Sequence, residues 1–186
     1  MNLSPRTKAL AILDEWVKNQ NLKKHMFAVE AAMRGYARLY QQDEELWGQV
    51  GLLHDFDYEK YPDLENHPFK AVAELKSQGY SEEFQKAVLA HAEHTGEPRD
   101  TLLKKTIFAV DELSGFVIAV ALVRPSKRLS EVTVESVLKK LKEKSFASKV
   151  NREEIIKSAQ ELEVELPEHI KNVLISLQSI SNELGL

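Results

Sequence analysis

Six histidines are spread unevenly along the 186 residues: four lie between Val50 and Gly115, His25 lies upstream, and His169 stands apart. They sit in the runs Gly51-Leu52-Leu53-His54-Asp55-Phe56-Asp57, Asn66-His67-Pro68-Phe69-Lys70-Ala71 and Ala90-His91-Ala92-Glu93-His94, followed by Ala109-Val110-Asp111-Glu112-Leu113. Imidazoles and carboxylates ligate divalent cations, and several of these fall on apolar helical stripes where an ordinary core carries Leu or Val. Burying such groups is costly unless something satisfies them, and a shared metal ion would satisfy all of them together. Adjacent residues on a helix diverge by about 100°, so His54 and Asp55 both reach one ion only at a helix end. With His25 and Asp111 brought to the same point, the shell holds two imidazoles and two carboxylates. That mixture suits Mn, Fe, Co, Ni or Zn better than Mg or Ca.

The elements that must position these residues read as helices throughout, with helical period and punctuation and no strand alternation. Ser4-Pro5 opens a first helix with Leu10, Leu13 and Val17 on its stripe, and Asn19-Gln20-Asn21 breaks it. A second helix carries Leu22, His25, Val29, Met33, Tyr36 and Tyr40 along one face. Asp43-Glu44-Glu45 places acids at the start of a third, whose stripe of Leu46, Trp47, Val50 and Leu53 ends on His54. Residues from Phe56 to Leu64 read as a loop over the site. A fourth helix is expected from Pro68 to Gly79, and a fifth from Ser81 with Phe84, Val88 and His91 on one face and His94 a turn further on. The sixth, Thr101 to Val123, is apolar enough to be central, with Asp111 bordering its main face. Beyond it, residues 130–186 read as supporting helices: one with Val134, Val137, Leu138 and Leu141, one opened by an Asn151/Glu154 capping box, and one started by Pro167. His169, just after that start, is expected at the surface.

Composition narrows the function. A chain of 186 residues suits one well-buried domain over residues 1–186, with the metal-site core at about 22–123. A net charge of −4 and a pI near 5.9 argue against a dedicated nucleic-acid binder. There is no cysteine, which excludes disulfides and thiolate zinc sites and fits a reducing cytoplasm. Met1 to Arg6 lacks the apolar core of a signal peptide. The most apolar stretch, Ile107 to Val123, contains Asp111 and Glu112, which at about 2.5–3.5 kcal/mol each make a membrane span a poor reading. A cytoplasmic protein without membrane association is therefore expected, and the apolar last helix offers a face for a homo-oligomer.

The order His25, His54-Asp55, Asp111 resembles the H…HD…D signature of the HD-domain superfamily of metal-dependent phosphohydrolases, over roughly His25 to Gly115. The resemblance implies an all-α fold, a globular HD-domain helical bundle with additional C-terminal helices. It also implies hydrolysis of a small phosphomonoester or nucleotide by metal-activated water. The runs at His67-Pro68 and His91 are similar to the dinuclear, cyclic-dinucleotide phosphodiesterase (HD-GYP-like) branch. There the HD aspartate bridges two ions: His25, His54, Asp55 and Asp111 would hold the first, and Asp55, His67 and His91 the second. This chain departs from the branch at Ala92, where it has a second histidine, and at Tyr58, where it has lysine and nucleotidase members have glutamate. Asp57 or Glu59 then becomes the expected proton shuttle beside Asp55. His94 is either a further metal or substrate contact or a solvated residue of the last turn. Lys24, with Lys23, and the trio Arg124, Lys127 and Arg128 are the expected phosphate-binding cations, the trio also simply complementing a helix C-terminus. Two other functions stay open: a phosphodiesterase on a cyclic or linear nucleotide with a dinuclear site, and a non-catalytic module that binds metal and nucleotide to regulate a partner.

Overall fold

The computed structural model describes residues 5–186, so the expected Ser4 cap and the start of the N-terminus lie outside the described residues. Among the described residues there are ten α-helices and no strand. They are α1 (Pro5–Trp16), α2 (Gln20–Leu39), α3 (Glu44–Leu53), α4 (Phe69–Ser77), α5 (Glu82–Ala90), α6 (Leu102–Leu122), α7 (Val134–Lys142), α8 (Arg152–Glu161), α9 (Leu166–Ser179) and α10 (Ser181–Leu184). The fold is all-α, as the periodicity indicates.

Two helices organise the packing. α6 buries nearly its whole circumference, from Leu103 through Ile107, Val110, Leu113 and Val117 to Ala121. α2 packs against it and against α3 and α9. The approach of α3 to α2 is set at Gly51, where a Cβ would meet the Val29 carbonyl oxygen at 2.8 Å and the Glu30 nitrogen at 2.9 Å. Any larger residue would push α3 outward and take His54, one turn on, away from His25. Beside this crossing the buried Glu30 carboxylate is held by Arg6 (2.6 and 2.9 Å) and Arg34 (3.0 Å). A buried carboxylate needs such partners, since leaving it unpaired is costly.

The helix starts follow the expected chemistry. Asn19, Asp43, Ser81, Thr101 and Asn151 each accept hydrogen bonds from backbone N–H groups of the first turn. α4 has no cap from its own Pro68, and it is served from elsewhere by Asp57, described below. α5 ends earlier than the His91–His94 run suggests. It stops at Ala90 with His91 as its C-cap, and Glu93–Thr95 form a separate 3₁₀ turn closed by Gly96 at φ 70°. One continuous buried cluster links residues from Ala9 on α1 to Leu184 on α10, so α7 to α10 share the core on which the site rests. No helix among the described residues is long and apolar enough to cross a membrane.

Candidate metal centre

Three histidines of the middle third, His54, His67 and His91, are held by Nδ1, which turns Nε2 towards one region. His54 sits at the C-cap of α3, fully buried, with Nδ1 2.7 Å from the Gly51 carbonyl. His91 caps α5 in the same way, its Nδ1 2.5 Å from the Val88 carbonyl. His67, at the end of the loop before α4, turns Nδ1 to the Asp57 carboxylate at 2.8 Å. Carbonyls and carboxylates only accept hydrogen bonds, so all three Nδ1 atoms carry a proton, and a ring that binds a metal ion does so through the lone pair of Nε2.

Those lone pairs meet one another and two carboxylates. His67 Nε2 and His91 Nε2 lie 3.2 Å apart, and each is 3.2 Å from Asp55 Oδ1. On the other side, His25 Nε2 is 3.0 Å and His54 Nε2 3.4 Å from Asp111 Oδ1, with Asp55 Oδ2 3.8 Å from His54 Nε2. Two groups result, His25–His54–Asp55 and Asp55–His67–His91, and Asp55 offers one oxygen to each. Asp111 joins the first through both of its histidines. An assembly of acceptors at these separations is repulsive unless a cation sits among them. His54 Nε2 is wholly buried and makes no hydrogen bond, with Asp111 Oδ1 3.4 Å away, and a ligand bond to a cation would satisfy it. The donor set of nitrogen and carboxylate oxygen fits first-row divalent ions, and the Nδ1 contacts are the supporting bonds that fix ring orientation in metal-binding histidines.

The electrostatics point the same way. Burial works against a charged His54, but Asp55 and Asp111 outweigh it and raise the imidazole to about 9. His91 is likewise raised, burial being more than offset by Asp55. For Asp55 and Asp111 burial favours the neutral acid, yet the neighbouring histidines, His54 foremost, hold both carboxyls below their ordinary range. The site is a well of negative potential, and in it protons and metal ions compete for the same nitrogens.

The remaining candidates fall elsewhere. Asp57 is fully buried, and its second oxygen accepts the Ala71 N–H at 2.9 Å, so it caps α4 and aims His67 rather than facing a leaving group. Glu59 accepts the N–H groups of Lys18 (2.8 Å) and Asn19 (2.9 Å), tying the loop to the start of α2. The expectation that either carboxyl shuttles a proton is therefore corrected: Asp57 is committed to the His67 ring and the Ala71 N–H, and Glu59 to the backbone of Lys18 and Asn19. His94 donates its Nε2 to the His67 carbonyl at 2.9 Å and belongs to neither ligand group. Lys24 Nζ lies against Gly185, and Lys127 and Arg128 line a separate cavity of about 790 Å³ with Asn182 and Leu186. Neither these residues nor Arg124 line the cavity over the ligand groups, so the expected phosphate clamp is not formed there. His169, expected at the surface, is instead fully buried, with Nδ1 on the Tyr36 hydroxyl and Nε2 on the Ala109 carbonyl.

That cavity, about 630 Å³, shows what the sequence reading missed. Besides the ligands its lining includes Tyr58, Leu64, Glu93, Glu112, Asn151 and Glu154. Glu112 follows a ligand directly in sequence, which was a usable signal. Asn151 and Glu154 come from α8 and carried only a capping signature. Burial foremost, with Asp111 and Glu154 nearby, pushes the Glu112 carboxyl up to about 7, and burial also raises Glu154.

The family model for the HD domain matches residues 22–115, half of the chain, and the segment covers α2 to the middle of α6 with every residue of the two ligand groups. The chain belongs to the HD domain family, whose members are generally metal-dependent hydrolases of phosphate esters. No curated protein and no solved structure matches it.

Proposed function

We propose that the protein is a metal-dependent phosphohydrolase that cleaves a small phosphomonoester or nucleotide. One observation carries the reading: two histidine groups converge on the two oxygens of Asp55, and the buried His54 Nε2 makes no hydrogen bond and faces the Asp55 and Asp111 carboxylates. A divalent ion held by these residues would supply an acidified water near neutral pH and offset charge on the phosphoryl oxygens.

The chain's own residues set the rest. His25, His54, Asp55 and Asp111 would hold one ion, and Asp55, His67 and His91 a second. Asp57 fixes His67 by a hydrogen bond to its Nδ1, and His94 holds the same residue through its carbonyl. In the overall hydrolysis water adds to phosphorus, the bond from phosphorus to the ester oxygen breaks, and that oxygen gains a proton. Glu112 lines the cavity beside Asp111 and outside the ligand set, and it takes the proton-donor role that Asp57 and Glu59 cannot reach.

A second reading, a phosphodiesterase on a cyclic or linear nucleotide, is favoured by the Asp55–His67–His91 group. A panel of phosphomonoesters and phosphodiesters, assayed with Mn, Co and Ni on protein of known metal content, decides between them. Turnover of monoesters supports the first reading and turnover of diesters alone the second. Metal-loaded protein that hydrolyses neither, yet is stabilised by nucleotide, contradicts both and favours a regulatory module.

A further inference from the structure

We propose that α8, outside the family-matched segment, builds the wall of the cavity that selects the leaving group. This wall favours esters whose leaving group is uncharged or cationic and donates hydrogen bonds, and disfavours those bearing a second anionic group. The proposal rests on the phosphoester reading above and specifies its substrate class.

Charge distribution is the first argument. The cavity lining contains no lysine or arginine, and besides the ligand groups it holds Glu93, Glu112 and Glu154. Inside a ligand-loaded site the only positive charge is therefore at the metal centre, where one phosphoryl group goes. Glu93 is ion-paired with Lys157 and Arg99, neither of which lines the cavity over the ligand groups. A second phosphate or a carboxylate on the leaving group would therefore meet Glu154, and Glu112 when it is ionised, with no lysine or arginine in the lining to offset them. Like charges so placed weaken binding. Hydroxyl or amino groups would instead find acceptors. Tyr58 and Leu64, both exposed and in the lining, offer apolar surface for the body of the leaving group.

The second argument is that this wall is built to stay in place. Asn151 Oδ1 accepts the Glu154 N–H at 3.1 Å, and its Nδ2 donates to Glu154 Oε2 at 3.3 Å. Arg152, the residue after Asn151, does not line the cavity and directs its guanidinium to the end of α7 and the loop that follows it. It donates there to the carbonyls of Leu141 (3.1 Å), Glu143 (3.1 Å), Ala147 (3.3 Å), Val150 (3.2 Å) and Phe146. A planar fork with five donors is the side chain suited to gathering a loop in this way. The loop is thereby fastened to the start of α8, and α8 packs on α6, the helix that carries Asp111 and Glu112.

The test measures binding, independently of turnover, with two non-hydrolysable probes of similar size: 2-hydroxyethylphosphonate, with a hydroxyl tail, and 3-phosphonopropionate, with a carboxylate tail. Calorimetry on Mn-loaded full-length protein should show the hydroxyl probe bound at least about tenfold more tightly. Glu154→Lys should bring the two within about threefold, and the isosteric Glu154→Gln should fall between, with metal stoichiometry and helix content unchanged in both. Equal binding of the two probes by the wild type, or a preference that persists in folded, metal-loaded Glu154→Lys and Glu154→Gln, would overturn the wall alone. Binding of neither probe would overturn the phosphoester reading and the wall with it.

Discussion

His54 and His169 are both completely buried, and both engage a hydrogen-bond partner through Nδ1, yet their other nitrogens face opposite situations. His169 Nε2 donates to the Ala109 carbonyl at 2.9 Å, which leaves Nδ1 to accept the Tyr36 hydroxyl at 2.6 Å. Every polar atom of that ring is used, and the contacts join α9, α6 and α2. Burial pulls the His169 imidazole down to about 4, so it is neutral at physiological pH. His54 has a satisfied Nδ1 and a stranded Nε2 among carboxylates that raise it to about 9. Burial alone therefore does not distinguish a ligand from a structural histidine. What distinguishes them is a nitrogen left over after the protein's own hydrogen bonds are counted, facing unpaired carboxylate oxygens.

The contrast is broken most severely at Asp55, the residue both ligand groups need. Asp55→Ala should strip bound metal and lower phosphoester turnover by more than about a thousandfold, measured by elemental analysis and steady-state kinetics. Next comes Asp57→Asn, which keeps the shape but weakens the hold on the His67 ring. Metal affinity at the second group should fall by about 10- to 100-fold, as read by competition with a chelating dye, while the first group keeps its ion.

His169→Leu should do the reverse of Asp55→Ala. Metal content stays at the wild-type level while the protein loses about 2 kcal/mol in urea unfolding, because the Tyr36 hydroxyl is left buried without its acceptor. The smallest effect is on pH dependence. The folded His169 titrates near 4, below its unfolded value of about 6.5, so its stabilisation is complete above about 6.5 and is lost as pH falls towards 4. Wild type should lose stability faster than His169→Leu across that window, with unfolding followed in metal-free protein at several pH values. Parallel curves would remove His169 from the account.

Much of this was legible in the residues. Helical period and caps placed α2, α3, α5 and α6, because amphipathic stripes and Asn, Asp, Ser or Thr caps act locally. The ligand groups were legible because His25, His54 and Asp111 occupy positions that a hydrophobic core explains poorly. Asp57 and Glu59 were misread since proximity in sequence to Asp55 says nothing of direction. Asp57 turns to an orphan N–H of α4, and Glu59 to the junction of α1 and α2. The burial of His169 depends on Tyr36, over a hundred residues away, and no local pattern records such a pairing. Asn151 and Glu154 looked like a cap and nothing more, because the loop that carries α8 to the cavity is shaped by Arg152 bonding to backbone carbonyls that any sequence possesses.

Anomalous diffraction from crystals of the Mn- or Zn-loaded protein tests the central claim most directly. The account predicts one peak among His25, His54, Asp55 and Asp111 and a second among Asp55, His67 and His91, with His54 Nε2 within about 2.0–2.2 Å of the first ion. Peaks only elsewhere, with His54 Nε2 still unbound, would contradict it.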